Sequence, residues 1–454
     1  MPILTPMFWF PLTMLGCDAA GAGRKDARAG DPETDSDTDS DTDSDADSDA
    51  DSDADVLWTG RTFPDTTARI GIIADQLAGG LTEAQVAFAA THFVGTQKQT
   101  LNLSEALRAV NPNFIVLHYK LAIWQSAPTV SYITDGQNWS NDYSEVDTHE
   151  DWFWHTETGD RLASSVDGKL VMNLNNDDFR TYWKDVLVEQ VHAGEYDAVF
   201  FDSASPALLQ WEAQSPPEPR LQGTGARDTA ISEWGGDTYI DVWNDWIADL
   251  DATMRAEGIA LIPNTSAFIT SWDTSNYHQT AGIFAEGFAG RNWAISDWQD
   301  STNELLTLSA ENKVILLQSY LGSTDDVDAR MYYLANYLLV KGGRTYLDAF
   351  AGSPLEWYPE WELDLGAATT TGATVDDLWD GTAYRRDFER GAVFLNPSAS
   401  MVTDAIGRDG FVVTASGGGA PGGDGKASGS LSTASANNVS VAAYGGVVVL
   451  WSAL

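Results

Sequence analysis

The sequence predicts an α/β fold in which a (β/α)8 TIM barrel is followed by a small C-terminal antiparallel β-domain. Between residues 56 and 380, strand-like apolar runs alternate with helical patterns, which is typical of βα units. After residue 380 the runs are short and are separated by Gly and Ser turns, as in antiparallel β structure. An open doubly wound sheet is the alternative, but no glycine-rich phosphate loop follows the first strand.

The first 17 residues have the composition of an export signal. Residues 1–16 are apolar but too short to span a bilayer. Met14-Leu15-Gly16-Cys17 resembles a bacterial lipobox, although Met14 replaces the usual leucine and no Lys or Arg precedes the apolar run. We expect Cys17 to be lipidated, which predicts an exported protein, either a cell-envelope lipoprotein with a lipid anchor as its only membrane contact or an extracellular one. A plain secretory signal with an incidental cysteine is the alternative.

Residues 18–55 form an acidic linker. Residues 31–55 contain 13 acidic residues and no basic one, in a near-regular alternation of Asp with Ser, Thr or Ala. Such a segment cannot bury a core, and its like charges extend it, so we expect a disordered tether. A calcium loop of the EF-hand type would need a glycine turn and a distal glutamate, and this segment has neither.

The composition of the chain excludes several classes of function. The net charge is −42, and the chain remains acidic after Val56, which argues against nucleic acid as a partner. The single cysteine excludes an intramolecular disulfide. There is no HExxH, CxxC or GxSxG motif, so the sequence predicts no metal site, no cofactor and no serine triad. We expect a monomer.

Eight β-rich apolar runs predict the barrel strands, and most of them end on a polar residue. They cover residues 69–75, 93–98, 113–120, 196–202, 258–264, 282–286, 313–318 and 344–348. A helix with Thr82 as its N-cap should follow the first strand, and another, with Asp177 or Asp178 as its N-cap, should begin near Phe179. A long aromatic-rich excursion, residues 121–178, separates the third strand from that helix.

The remaining 74 residues, 381–454, predict a β-sandwich-like domain. Its strands are expected at residues 392–396, 410–414, 439–442 and 446–451, with a Gly-rich turn between residues 417 and 429. We favour a packing role for this domain over a carbohydrate-binding role.

Polar side chains recur where the barrel strands are expected to end. Because barrel enzymes keep their pocket at that face, we interpret several of them as substrate-binding. These are Asp75, His118, Lys120, Asn264, Gln318 and Asp348, together with Trp152 from the long excursion. His118 could instead be a packed residue of the barrel rim, and the segment around Trp152 could form either a stacking wall or a hydrophobic plug.

Two of the strand ends carry the candidate catalytic residues. The fourth strand stops on Asp202 and the sixth on Glu286, and two carboxylates at one barrel mouth are the minimum needed to cleave a glycosidic bond. Glu286 lies between Phe284 and Phe288, so it is the better candidate for the acid/base. Asp202 is the better nucleophile. Carboxyl groups about 5–5.5 Å apart would predict retention at the anomeric carbon, and about 6.5–9.5 Å would predict inversion.

Seven segments, taken together in their order along the chain, carry a resemblance to a known family. They are HEDWFWHTETGDRL (149–162), VMNLNNDDFRTYW (171–183), AVFFDS (198–203), LIPNT (261–265), IFAEGF (283–288), EWYPEWELDLG (356–366) and YRRDFERGAVFLNPS (384–398). Over residues 68–398 the chain resembles the bacterial glycoside hydrolases of glycosyl hydrolase-like family 15 and, more distantly, the α-galactosaminidase-type barrels. The resemblance implies a (β/α)8 barrel, secretion and carbohydrate hydrolysis. By analogy with related α-glycosidase barrels, it also implies a strand-four nucleophile and a strand-six acid, which are Asp202 and Glu286 in this chain.

The sequence therefore leaves three functions open. The first is a secreted or surface-anchored glycoside hydrolase that cleaves a polysaccharide, expected to be α-linked, by a retaining mechanism. The second is a catalytically silent, glycan-binding surface lipoprotein. The third is a structural surface protein whose barrel has no pocket. The separation of the Asp202 and Glu286 carboxyl groups discriminates between the first and second functions. An open, aromatic-lined cleft at the strand ends would exclude the third.

Overall fold

The computed structural model describes residues 60–125, 133–134, 137–138, 143–155, 159–164, 168–205, 238–266 and 277–454. The predicted export signal, its lipidated Cys17 and the acidic linker lie outside the described residues, and the predicted domain boundaries stay predictions. The chain from Asp55 onward forms one unit that contains both the barrel and the C-terminal sheet. Within the described ranges, no helix combines the length and the apolar character needed to cross a membrane.

Eight parallel strands form the barrel, and each lies within or overlaps its predicted run. The strands are β1 (Gly71–Ala74), β2 (Gly95–Gln97), β3 (Ile115–Leu121), β4 (Ala198–Asp202), β5 (Ala260–Pro263), β6 (Gly282–Glu286), β7 (Val314–Tyr320) and β8 (Thr345–Phe350). They are hydrogen-bonded in the order β6-β7-β8-β1-β2-β3-β4-β5. The two ends of this order are joined by a parallel bridge between Asn264, directly after β5, and Phe284 in β6. The predicted barrel is therefore confirmed.

The strands are buried because apolar residues dominate them and both faces of the sheet are covered. In β4 the first four residues are buried, and Asp202 is the one that is partly exposed. The same pattern occurs in β6, where Glu286 is the partly exposed residue. Each of these strands therefore delivers one carboxylate to the carboxyl end of the barrel.

Helices follow six of the strands within the described part of the chain. They are α1 (Glu83–His92), α2 (Leu101–Val110), α3 (Asp177–Ala193), α4 (Tyr239–Ala256), α5 (Ile295–Ala310) and α6 (Val327–Val340). Thr82 is the N-cap of α1, as predicted, and its hydroxyl accepts a hydrogen bond from the N–H of Gln85.

The predicted N-cap of α3, Asp177 or Asp178, is wrong by one or two residues. Asn176 is the N-cap, and its side chain accepts a hydrogen bond from the N–H of Phe179. Asp177 and Asp178 lie in the first turn instead, where their negative charges complement the positive end of the helix dipole. Asn and Asp cap helices about equally well, so the sequence did not distinguish these neighbours.

The C-terminal strands form one antiparallel sheet of five strands. They are β9 (Tyr384–Phe388), β10 (Gly391–Asn396), β11 (Val402–Ser416), β12 (Ser430–Val441) and β13 (Gly445–Leu450), in the order β9-β10-β13-β11-β12. The predicted antiparallel structure is confirmed, and β9 is an additional strand. Its sequence, YRRDF, is too charged to be recognised as an apolar run.

This sheet packs against the barrel through α6. At Gly446 in β13, an added Cβ would lie 2.4 Å from both the carbonyl oxygen of Met331 and the Cβ of Ala335, so only glycine permits this approach. From β9, Arg386 donates hydrogen bonds to three carbonyl groups at the carboxyl end of α6. These carbonyls have no partner within their helix, so the sheet provides the C-cap of α6.

Candidate active site

Asp202 lies at the carboxyl end of β4, where its carboxylate accepts three hydrogen bonds from the part of the chain that the structure describes. Its Oδ1 accepts one from the backbone N–H of Ser203 and one from Nδ2 of Asn264, both at 2.8 Å. Its Oδ2 accepts one from the hydroxyl of Tyr119, which comes from β3, at 2.7 Å. These donors are neutral, so they fix the orientation of the carboxylate without cancelling its charge.

Glu286 lies at the carboxyl end of β6 and shares a donor with Asp202. Its Oε2 accepts a hydrogen bond from Nδ2 of Asn264 at 2.8 Å. Its Oε1 accepts one from the hydroxyl of Tyr320, at the end of β7. The Tyr320 hydroxyl accepts in turn from Nε2 of Gln318 at 2.8 Å. Side chains from β5 and β7 therefore hold this carboxyl group from two sides.

The side chain of Asn264 fixes the distance between the two carboxyl groups. Its Nδ2 lies 2.8 Å from Oδ1 of Asp202 and 2.8 Å from Oε2 of Glu286. These two oxygens cannot be farther apart than twice that distance (about 5.6 Å), which fits the spacing of retaining glycosidases and is shorter than that of inverting ones. Asn264 is buried, because it lies at the bridge where β5 and β6 close the barrel.

The environment of Glu286 favours its protonated form. Burial raises the pKa of Glu286 above its ordinary value, and the negative charge of Asp202 adds to this shift. The Lys98 ammonium and the hydrogen bonds from Tyr320 and Asn264 lower the pKa, but their combined effect is smaller than that of burial and the charge of Asp202. Because the net shift is upward, Glu286 keeps its proton to a higher pH than an exposed glutamic acid does.

A second polar group at the same face of the barrel comes from β1, β2 and β8. Nζ of Lys98 lies 3.1 Å from Oδ1 of Asp75, and Nε2 of Gln97 donates to that oxygen at 2.7 Å. The N–H of Asp75 donates to Oδ2 of Asp348 at 2.9 Å. Burial raises the pKa of Asp348 well above its ordinary value, although the N–H of Asp75 opposes the shift. Asp75 and Asp348 are thus brought together, as their strand positions predicted.

The structure does not bring His118 and Lys120 to the carboxylates, which corrects their interpretation as substrate-binding residues. Nε2 of His118 is hydrogen-bonded to Oε1 of Gln190 in α3 at 3.0 Å, and burial lowers the pKa of His118 to about 3. Nζ of Lys120 lies 5.8 Å from the ring centre of Trp183, also in α3. Side chains alternate between the two faces of a strand, so both point toward the helix while the intervening residue points inward.

Trp152 is buried outside this site as well. Its ring stacks on His149 at 3.9 Å between ring centres and contacts Tyr182 and Phe179 of α3 at 5.1 Å and 5.9 Å. It is 5% exposed. Trp152 therefore anchors the excursion to α3 as a hydrophobic plug, the second of the two arrangements considered from the sequence, and offers no face to a substrate.

Two tyrosines of the site were missed by the sequence reasoning. Tyr119 lies between His118 and Lys120 and therefore occupies the opposite, inward face of β3. Tyr320 lies two residues after Gln318, so it shares the face of β7 that ends at the barrel mouth. The period of two along each strand could have identified both, once the inward face was known.

Three residues at these strand ends have a strained backbone. Lys98 directly after β2, and Ser203 directly after β4, both have φ of 57°. Ser266, two residues after Asn264, has φ of 53°. Non-glycine residues adopt this left-handed conformation at an energetic cost, and such residues cluster at functional sites.

A cavity of about 620 Å³ lies at the other end of the barrel. Its lining includes Phe63, Asn113 and Arg344, each of which lies before a barrel strand rather than after one. In barrels of this kind, residues at the amino ends of the strands serve stability, so this cavity is separate from the carboxylate pair.

A parallel barrel whose mouth holds two carboxyl groups linked by one amide has the fold and the equipment of a glycoside hydrolase. The description "hypothetical glycosyl hydrolase family 15" belongs to a family model that matches residues 108–392, which is more than half of the chain. The chain belongs to this family and is a glycoside hydrolase. A search of curated proteins found no match.

Solved structures match the chain at low sequence identity and low TM-score. A noncanonic maltogenic α-amylase from Thermotoga neapolitana is 11% identical with a TM-score of 0.40, and the match covers 84% of this chain and 98% of the amylase. An isomaltulose synthase from Klebsiella sp. LX3 is 9% identical with a TM-score of 0.43, and the match covers 85% and 98% of the two chains. Similarities at this level carry no argument about substrate or mechanism.

Proposed function

We propose that the protein is a retaining glycoside hydrolase that cleaves an α-linked polysaccharide, with Asp202 as nucleophile and Glu286 as acid/base. The observation that carries this proposal is the shared contact of Asn264 with both carboxyl groups. It limits the separation of two of their oxygens to about 5.6 Å, which suits direct attack by one carboxylate and leaves too little room for the water of an inverting enzyme.

The hydrogen bonds of Asp202 support its role as nucleophile. Among the described residues, Oδ1 accepts two hydrogen bonds, from Ser203 and Asn264, whereas Oδ2 accepts one, from Tyr119. Oδ2 therefore keeps more lone-pair density for a bond to carbon. We assign the attack on the anomeric carbon to Oδ2, with Oδ1 holding the carboxylate in place.

The raised pKa of Glu286 supports its role as acid/base. In the first step, Glu286 gives its proton to the glycosidic oxygen, the bond from that oxygen to the anomeric carbon breaks, and Asp202 bonds to this carbon. In the second step, ionised Glu286 takes a proton from water, whose oxygen attacks the same carbon and releases Asp202. Two inversions at one carbon give net retention.

The α-linkage rests on the sequence resemblance to α-glycosidase barrels with a nucleophile on strand four and an acid on strand six. The test is to incubate the enzyme with a panel of α-linked and β-linked polysaccharides and record the first anomer released by NMR. We expect hydrolysis of an α-linked member with an α product. A β product from an α-linked substrate would overturn the retaining mechanism. Binding without any product would favour the glycan-binding alternative.

The role of Glu286 has a sharper test. Glu286→Gln should reduce kcat/KM, which reports the first step, by about 100- to 10,000-fold for a polysaccharide, because the leaving oxygen is no longer protonated. Aryl glycosides with very acidic phenol leaving groups need little protonation, so their kcat/KM should be much less affected. Glu105→Gln, an exposed change on α2, is the matched control. Equal losses of kcat/KM on both substrate types would contradict the assignment.

We also infer that the enzyme is attached to the bacterial cell envelope through Cys17. The support is the apolar segment before Cys17, the small residue at Gly16 and the acidic linker that follows. The full chain, expressed in a bacterial host with labelled palmitate, should become labelled and sediment with membranes. Cys17→Ser should lose the label. An unlabelled, fully soluble wild-type protein would refute the anchor.

A further inference from the structure

We propose that Lys98 is a positioning residue of this active site, whose ammonium group allows Asp202 to stay ionised while Glu286, close beside it, keeps its proton. This inference rests on the proposed two-carboxylate mechanism. A retaining enzyme needs its two carboxyl groups close together but in different protonation states. Two such groups compete for one proton unless their surroundings differ, and a fixed positive charge provides that difference.

The backbone places Lys98 at the barrel mouth. It follows β2 directly and has a left-handed conformation, with φ of 57°, that few non-glycine residues adopt. Its side chain is 22% exposed, and Nζ lies 3.1 Å from Oδ1 of Asp75. The side-chain N–H of Gln97 that binds the same oxygen fixes Asp75. The ammonium group is therefore held from the side of β1 and β2.

Two aromatic rings hold the ammonium group beside Asp202. Nζ of Lys98 lies 5.0 Å from the ring centre of Phe200 and 5.6 Å from that of Tyr119. Phe200 precedes Asp202 by two residues in β4, and the hydroxyl of Tyr119 donates to Asp202. Both rings offer the attraction that an aromatic face has for a cation. The cation is thus near the nucleophile while the direct contacts of Asp202 remain with neutral donors.

The charged groups around this ammonium group are carboxyl groups. Asp75 faces it from β1, Asp202 from β4 and Glu286 from β6. Asp348 of β8 accepts a hydrogen bond from the N–H of Asp75 and lies behind that residue. Burial alone would lower the pKa of Lys98, but the first three carboxylates raise it above its ordinary value, so this side chain stays charged.

The same charge acts on both members of the catalytic pair. It lowers the pKa of Glu286 against the larger effect of burial, and it stabilises the anion of Asp202 by the same attraction. Without it, the pKa of Glu286 would rise further, and the negative charge of Asp202 would lose its neighbouring cation. The surroundings of the two carboxyl groups would then no longer differ in this charge.

The first experiment measures kcat/KM against pH for the wild type, Lys98→Met and Lys98→Arg. The profile should be bell-shaped, because one carboxyl group must be ionised and the other protonated. In Lys98→Met, both limbs should move to higher pH and the acidic limb by more, because the rings of Phe200 and Tyr119 hold the ammonium group beside the nucleophile. In Lys98→Arg the limbs should return toward their wild-type positions, whatever the effect on rate. Unmoved limbs in Lys98→Met would overturn the proposal.

The second experiment needs no substrate, so its result is independent of whether the proposed function is correct. Removing Lys98 should lower Tm by more near pH 7.5 than near pH 4.5, because an ammonium group attracts carboxyl groups in their ionised form, and the ionised fraction of a carboxyl group falls as the pH is lowered toward about 4. Lys341→Met, at the other end of the barrel, is the control for loss of a buried ammonium and should show little pH dependence over this range. The same loss of Tm at both pH values in Lys98→Met would refute the proposal.

Discussion

The two ends of β4 each carry an aspartate, and the two residues are held in opposite ways. Asp197, just before the strand, is buried and contacts two guanidinium groups, Arg61 at 3.0 Å and Arg108 at 2.8 Å. It also accepts the N–H of Val116 at 2.7 Å. Asp202, at the last position of the strand, is partly exposed, and its described hydrogen-bond donors are all neutral.

This difference separates a carboxylate that holds the fold together from one that is available for chemistry. Cations in direct contact with Asp197 hold its charge in place, and it joins the chain before β1, the helix α2 and the start of β4. Neutral donors around Asp202 orient the group but leave it able to form a bond to carbon. The division follows the general rule for such barrels, in which the amino ends of the strands serve stability and the carboxyl ends serve catalysis.

The largest expected effect is on turnover. Asp202→Asn should reduce kcat by about 10,000-fold or more, because the amide is a poor nucleophile. Its Tm should stay within a few degrees of the wild type, because Tyr119 and Ser203 can still donate to the remaining carbonyl oxygen or to water. Steady-state kinetics and a thermal melt test the two halves of this prediction. A variant that keeps wild-type turnover would remove Asp202 from the mechanism.

The matched change at the other end of β4 should have the opposite result. Asp197→Asn should destabilise the fold by about 3 kcal/mol, because Arg108 is left with a partly buried, uncompensated charge, whereas the more exposed Arg61 loses less. Turnover per folded molecule should stay within a few-fold of the wild type. Urea unfolding measures the stability. If Asp197→Asn were as inactive as Asp202→Asn while fully folded, the division between the two ends would be wrong.

A third variant tests how the pair is spaced. Asn264→Leu keeps the volume of the side chain but removes the donor shared by Asp202 and Glu286, so the two carboxyl groups should move apart. A displacement of about 1 Å in an active site costs about 100-fold in rate. We expect a loss of that order in kcat/KM. A loss of less than about 3-fold in a folded variant would mean that other contacts set the spacing.

The smallest expected effect concerns Tyr320 and is a shift in pH dependence. Its hydroxyl donates to Glu286 and lowers the pKa of that residue, so Tyr320→Phe should let the pKa rise further. The basic limb of the kcat/KM profile, where the acid loses its proton, should therefore move to higher pH by less than about one unit. A shift to lower pH would mean that the Tyr320 hydroxyl does not stabilise the ionised form of Glu286.

The sequence predicted the barrel well because its strands are long enough and apolar enough to be recognised singly. The runs that end on Asp202, Asn264 and Glu286 also placed these residues at one edge, since parallel strands bring their carboxyl ends together. The sequence did not show, however, which face of each strand points into the barrel. Along β3 every residue is buried, so the alternation of Tyr119 with His118 and Lys120 did not show which of the two faces points into the barrel.

The contacts of Trp152 were beyond the sequence for a different reason. An aromatic residue that stacks on a sugar and one that plugs a loop have the same local pattern, and only the position of α3 distinguishes them. The roles of Lys98 and Asp75 likewise depend on distances between separate strands, which the order of residues does not determine. The sequence therefore predicted which polar groups lie at the strand ends, but not which of them contact each other.

The closure of the barrel between β5 and β6 has a mechanical consequence. Asn264 bridges to Phe284 through the backbone, and the N–H of Thr265 donates to the carbonyl oxygen of Phe284 at 2.8 Å. The side chain of Asn264 spans the same joint to reach Asp202 and Glu286. The gap across which the reaction runs is therefore set by the joint that completes the cylinder. If heat or denaturant loosens that joint, the spacing of Asp202 and Glu286 changes, and activity falls before the rest of the protein unfolds.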